Sequence, residues 1–243
     1  MSGHSKWSTI KRKKGEKDGA RAKVFTKISR EIIVCIKEHG PDPASNSKLA
    51  ALITKAKANN IPNDNIDRLI KKAAGEGDKN NYENCVYEGY GPNAVAVIVD
   101  CLTDNRNRTA GEIRHYFDKF GGNLGTTGCV SFMFSRKGII VLDNEDESID
   151  EDKAMEDILE AGGDDFSFED DCVEITTDPD KTSETAEKLI GMGYKVISAE
   201  VEQVPSSYVK LSDEEQVKKM GLLLETLDDN DDVQNVWHNW EED

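Results

Sequence analysis

Between Gly138 and Val201 the hydrophobic periodicity alternates in a fixed order. Gly138–Leu142 reads as a strand and Ile149–Ala161 as a helix. Phe166–Phe168 and Cys172–Thr177 read as two further strands. Thr182–Gly191 reads as a helix and Tyr194–Val201 as a last strand. Apolar residues two apart point to one face of a strand, whereas spacings of three and four make a helical stripe. The order β-α-β-β-α-β is a complete ferredoxin-like unit that closes its own sheet. The two elements beyond it, a helix over Asp213–Leu227 and a strand over Val233–Trp237, cannot bury their apolar faces alone. An earlier set of elements has room for them: strands at Val86–Tyr90 and Ala94–Cys101, a helix over Thr109–Phe120 and a strand over Cys129–Phe134. Residues 135–204 are therefore expected to be an inserted domain, and 82–134 with 205–243 a discontinuous middle α/β domain.

The first 81 residues have a different texture. Ala20, Val24, Ile28, Ile32 and Ile36 recur every four residues, which predicts a helix over about 18–38. Leu49, Leu52, Ile53 and Ala56 mark a second helix. Ile66, Leu69, Ile70 and Ala73, after Pro62, mark a third. Three short amphipathic helices can bury their stripes only against one another, so 1–81 is read as a basic arm plus a three-helix bundle. The predicted fold class is thus α+β.

Charge divides the chain at the same place. Residues 1–81 carry 18 basic and 9 acidic side chains, and residues 82–243 carry 13 and 39, within an overall charge of −17. A chain this acidic is no uniform nucleic-acid coat, but its front end is a concentrated cation. Lys6, Lys11, Arg12, Lys13, Lys14, Lys17, Arg21, Lys23, Lys27 and Arg30 lie within the first thirty residues, with His4, Ser5 and Trp7 among them. Lysine and arginine neutralise phosphates and release counterions, and an indole can stack on a base. About six phosphate contacts would give a log-log salt slope of roughly −5. The competing reading is a solvated tail. A second cationic locus, Asn105, Arg106 and Arg108, falls where a strand gives way to a helix. There Thr109 or Asn107 could cap the helix and leave backbone N–H groups for a phosphate. Its competing reading is a capping loop whose arginines pair with nearby carboxylates.

Other chemistry finds little support. The loop Gly121–Gly128 has glycines suited to a nucleotide site, but it runs helix, loop, strand, the reverse of a phosphate-binding loop, and lacks the Lys-Ser/Thr pair. Helix C-capping followed by a turn is the reading, and the alternative is a surface loop that approaches RNA or a partner closely. His4, His39, His115 and His238 have no partners at metal spacing, and no cysteine pair has ligand spacing, so neither catalytic residues nor metal nor cofactor is expected. The five cysteines are read as buried free thiols. The longest apolar run, Ala94–Val99, is far below the ~20 residues of a membrane helix. With no signal-like segment at the start, a cytoplasmic setting is expected.

Several motifs, in order, resemble the YebC/PmpR family, whose mitochondrial relatives are translational activators of a cytochrome oxidase subunit. They are Gly3–Trp7 with Ile10-Lys11, Phe25-Thr26-Lys27, Tyr87–Pro92, Asp104–Thr109 and Gly121–Gly125. Asn93 stands where glycine is frequent after Gly-Pro, and Trp237 where tyrosine is usual. The resemblance implies a non-enzymatic three-domain regulator of gene expression, labelled in the family as a probable DNA-binding transcriptional regulator. It also implies a ribosome-associated translation factor that binds ribosomal RNA or mRNA, with no membrane and no small-molecule substrate. An unstructured basic arm with a tryptophan leans towards RNA. The alternative is a protein-only adaptor whose acidic domains dock a basic partner.

Overall fold

The computed structural model describes residues 19–75, 81–146, 148–169 and 171–241. Within them lie seven α-helices and antiparallel sheets, a mixed α+β architecture. Two compact units can be separated, one of residues 19–130 and 212–236, the other of 131–211 and 237–241.

The first unit opens with α1 (Gly19–His39), α2 (Ser47–Ala58) and α3 (Asn63–Ala74). Their stripes meet in a core of Ile28, Ile32, Ile36, Leu49, Leu52 and Ile66, all buried. Each such side chain contributes roughly 1.5–3 kcal/mol on leaving water. The Asn46 side chain accepts a hydrogen bond from Leu49 N at 3.0 Å and so fixes the start of α2.

Next in this unit is a four-stranded sheet built of β1 (Glu83–Tyr90), β2 (Ala96–Thr103), β3 (Asn123–Leu124) and β9 (Val233–His238), in the order β3-β1-β2-β9. β1 and β2 pair antiparallel from Glu83↔Thr103 to Tyr90↔Ala96. Asn93, in the turn between them, sits at φ 53°, ψ 37°, the left-handed region that asparagine tolerates and glycine tolerates better. β2 is buried at every position but Asp100, as a central strand must be. Helices α4 (Arg106–Lys119) and α7 (Glu214–Asp228) supply Ile113, Phe117, Met220, Leu223 and Leu227 to the core.

Two sequence expectations give way here. Cys129–Phe134 is no strand. The residues before Phe134 form a turn and a short 3₁₀ segment at Ser131–Met133, and the strand is instead Asn123–Leu124, inside the glycine-rich loop. Close approach selects that register. A Cβ at Gly89 would lie 2.6 Å from Asn123 O, and one at Gly122 would lie 2.5 Å from Tyr90 O. Likewise α4 begins at Arg106 rather than Thr109, because Asn105 is the cap.

In the second unit the order is β4 (Phe134–Asp143), α5 (Glu151–Ala161), β5 (Asp165–Phe168), β6 (Cys172–Thr177), α6 (Thr182–Gly191) and β7 (Val196–Pro205). The antiparallel sheet runs β5-β6-β4-β7. Ala154, Ile158, Ala186 and Leu189 of the helices pack with Ile140, Leu142, Val173 and Ile175 of the strands. Asp150 caps α5 by accepting from Lys153 N at 2.9 Å, and Gly162 ends it at φ 107°. A two-residue parallel pair, β8 (Val209–Lys210) with β10 (Trp240–Glu241), is too short to carry a sequence signal of its own.

Candidate nucleic-acid interface

Of the residues singled out in the basic front end, His4, Ser5, Lys6, Trp7, Lys11, Arg12, Lys13, Lys14 and Lys17 lie outside the described residues, as does the side chain of Arg21. Lys23, Lys27 and Arg30 are placed, and all three meet the protein's own carboxylates.

They stand at i, i+4 and i+7 on α1, beside the buried stripe rather than in it, and so form one edge of the helix. That edge faces the acidic run that ends α7. Lys23 Nζ lies 2.6 Å from Asp229 Oδ1, and both side chains are open to solvent. Lys27 Nζ donates to the Asp228 carbonyl at 2.8 Å and lies 4.0 Å from its carboxylate. Arg30 is mostly buried. It donates to Asp232 and, at 3.1 Å, to the Leu102 carbonyl, and its guanidinium lies 5.4 Å from the centre of the Tyr82 ring.

Asp232 is the hub. Its carboxylate is 4% exposed. Besides Arg30 it accepts from Arg108 and from Thr109 Oγ1, each at 2.7 Å, and from Thr103 Oγ1 at 3.1 Å. Burial alone would raise its pKa, but the bonds from Arg108, Thr109 and Arg30 prevail and hold it at about 2. The Asp104–Thr109 motif is thereby explained locally. Asn105 Oδ1 accepts from Arg108 N at 3.1 Å, capping α4. Arg108 also reaches Asp104 at 3.0 Å. Asn105 and Arg108 thus realise the capping-loop alternative. The Arg106 side chain stays exposed, while its carbonyl accepts from Tyr87 OH at 3.2 Å.

Asp232 was not legible as the partner of Arg30 and Arg108, since Asp228, Asp229, Asp231 and Asp232 read as bulk acidity. One signal was available. α7 has no basic residue in its last turn, and carboxylates gathered at a helix C-terminus oppose its dipole unless cations from elsewhere meet them.

The glycine-rich loop is pinned rather than open. The buried Glu88 carboxylate accepts from Gly128 N at 2.8 Å and Val130 N at 2.9 Å, and the Glu88 carbonyl accepts from Gly125 N at 2.8 Å. A carboxylate that holds two backbone N–H groups leaves no anion cradle there. Among the described residues no cluster of His, Cys, Asp or Glu could hold a metal ion, and no helix is long and apolar enough to cross a membrane. The cysteines are unpaired thiols, and burial pushes Cys172 up to about 12, far from a ready nucleophile.

Comparison with known proteins sets these features in context. Residues 5–76 match the family described as "TACO1/YebC protein N-terminal domain", and residues 82–240 match "TACO1/YebC second and third domain". A protein of Finegoldia magna named "Probable transcriptional regulatory protein" is 55% identical over 241 residues, covering 99% of each chain. One of the same name from Ruminiclostridium cellulolyticum is 56% identical over 243 residues, covering 100% of this chain and 98% of its own. The crystal structure of a conserved hypothetical protein from Aquifex aeolicus superposes with a TM-score of 0.83 at 42% identity, covering 93% of each chain.

Proposed function

Because the chain belongs to the TACO1/YebC family, as its motifs implied, we propose that it is a cytoplasmic, non-enzymatic regulator of gene expression that works by binding nucleic acid through its basic first 81 residues. The observation that carries this is the charge division, 18 basic against 9 acidic side chains in 1–81, and 13 against 39 in the rest. A polyanion is drawn to the former and repelled by the latter. The relatives' names support a regulator and are neutral between DNA and RNA. An arm with Trp7 among lysines favours a folded RNA surface, including that of the ribosome. In this reading Lys6, Lys11, Arg12, Lys13 and Lys14 make the phosphate contacts. Arg30, Asn105 and Arg108 instead hold the first unit together. The three-part division into 1–81, 82–134 with 205–243, and 135–204 belongs to the same proposal, with the acidic insert kept clear of the polyanion.

Charge reversal at Lys11, Arg12, Lys13 and Lys14 tests it. Binding to RNA or DNA should weaken and the salt dependence should flatten. Unchanged affinity with an unchanged slope removes the proposal.

A further inference from the structure

We infer that Phe132 is a base-stacking residue, and that its ring receives an unpaired nucleobase of the bound RNA. This rests on the nucleic-acid reading above. It adds a contact outside the first 81 residues, at a residue that neither the motifs nor the relatives' names single out.

All seven phenylalanines of the chain lie among the described residues. Phe117, Phe120 and Phe134 are buried, and Phe25, Phe166 and Phe168 are half-buried. Phe132 is 76% exposed, the most open large apolar side chain among the described residues. One apolar side chain on a surface means little by itself. This one is held out on a fixed backbone. It is the middle residue of the 3₁₀ segment Ser131–Met133. On one side the Met133 carbonyl accepts from Ser206 N at 2.8 Å and from Ser206 Oγ at 3.0 Å. Phe134 follows, buried and in register with Pro205 at the end of the β4–β7 pair. On the other side Val130 is fully buried, and its N–H donates to Glu88. A ring mounted in this way is offered to solvent at little entropic cost to a ligand that stacks on it.

The chain around the ring is uncharged. Residues 131–135 hold no charged side chain, and neither do residues 203–209, the segment that pairs with them through Ser206 and Pro205. Yet residues 135–204, which join the two, carry 22 acidic and 6 basic side chains. Besides Phe132, the exposed residues of the two segments are all serines, Ser131, Ser135, Ser206 and Ser207. Carboxylates repel a polyanion, so an uncharged end is where the second unit can meet one. A phenyl ring and hydroxyls give a phosphate no counter-charge. They give a nucleobase a flat face to stack on and partners for its polar edges. Bases inside a duplex are stacked on one another, whereas the bases of loops and bulges can be splayed onto an aromatic side chain.

The test measures binding of the full chain to a single-stranded RNA oligonucleotide and to an RNA duplex of the same length, each across a salt series. The chains compared are wild type, Phe132→Ala, Phe132→Leu and Phe132→Trp. The ring is exposed, and circular dichroism checks that the fold is kept. Phe132→Ala and Phe132→Leu should each bind the single strand about 5- to 100-fold more weakly. Their log-log salt slope should match wild type, because no charge has been removed. Phe132→Trp should bind it at least as tightly as wild type, and on the duplex all four chains should agree within about twofold. Phe132→Ala binding the single strand as wild type does overturns the inference and leaves the proposed function standing. So does Phe132→Leu binding as wild type, which would mark an apolar contact rather than a stack. An equal loss on the duplex overturns the choice of an unpaired base. A wild-type chain that binds neither RNA overturns the proposed function itself.

Discussion

Replacing Asp232 with alanine should strongly destabilise the first unit. The carboxylate accepts from four side chains, Arg30, Arg108, Thr103 and Thr109, and only 4% of it is exposed. Its removal strands the Arg30 guanidinium, whose side chain is only 15% exposed, beside a strand carbonyl that cannot neutralise it. Breaking a buried ion pair from one side costs about 3–5 kcal/mol, because the surviving charge stays desolvated. Arg108 is better placed, since it is partly exposed and keeps Asp104. Thr103 Oγ1 and Thr109 Oγ1 lie 2.8 Å apart, so once the carboxylate is gone one hydroxyl can donate to the other. The lower part of that range, about 3 kcal/mol, is therefore expected, equivalent to a melting temperature lower by roughly 10 °C. Thermal and urea unfolding followed by circular dichroism measure it. The exposed Lys23–Asp229 pair serves as the internal control, since Lys23→Ala should cost less than about 1 kcal/mol. A loss below about 1 kcal/mol for Asp232→Ala would refute the assignment of Asp232 as the hub.

The same contacts set further outcomes. The folded pKa of Asp232 is depressed from 3.8 to about 2, so its stabilisation is present above pH ~4 and is lost as pH falls from ~4 to ~2. Asp232→Asn should lack that segment of the acid-unfolding profile. Burial raises the pKa of Asp100, which has the opposite sign, because the folded state then favours the neutral acid. Asp100→Asn should raise the urea midpoint at pH 7, with the gain shrinking as pH falls. Glu88→Ala should free the loop it pins, seen as at least about tenfold faster hydrogen exchange at the amides of Gly128 and Val130, and unchanged protection there would contradict the pinning. Gly89→Ala places a methyl 2.6 Å from Asn123 O and 2.9 Å from the Phe117 ring, and should cost about 1–3 kcal/mol in urea unfolding.

Periodicity alone made the helices legible, because each buries one stripe on one partner. Thr182–Gly191 and Cys172–Thr177 are found where the alternation placed them. Asn123–Leu124 could not be read, since its pairing depends on the bare Cα atoms of Gly89 and Gly122 approaching neighbours far along the chain. For the candidate interface, composition located the cations but not their partners. Arg30 and Asp232 are 202 residues apart in sequence, and no local pattern marks a pair closed by tertiary packing. The Asp104–Thr109 motif resembled a phosphate site because arginines at a helix start serve either purpose. Arg108 is met by a carboxylate at the far end of the chain, a pairing that no local pattern marks.

The most direct measurement is photocrosslinking of the protein to nucleic acid in cells, followed by mass-spectrometric mapping of the peptides that carry crosslinked nucleotides. The charge division predicts crosslinked peptides from residues 1–81, and the reading of Trp7 among lysines as an RNA contact predicts that ribosomal RNA is attached. Crosslinks confined to the acidic residues 135–204, or no crosslinked nucleotide anywhere in the chain, would contradict it.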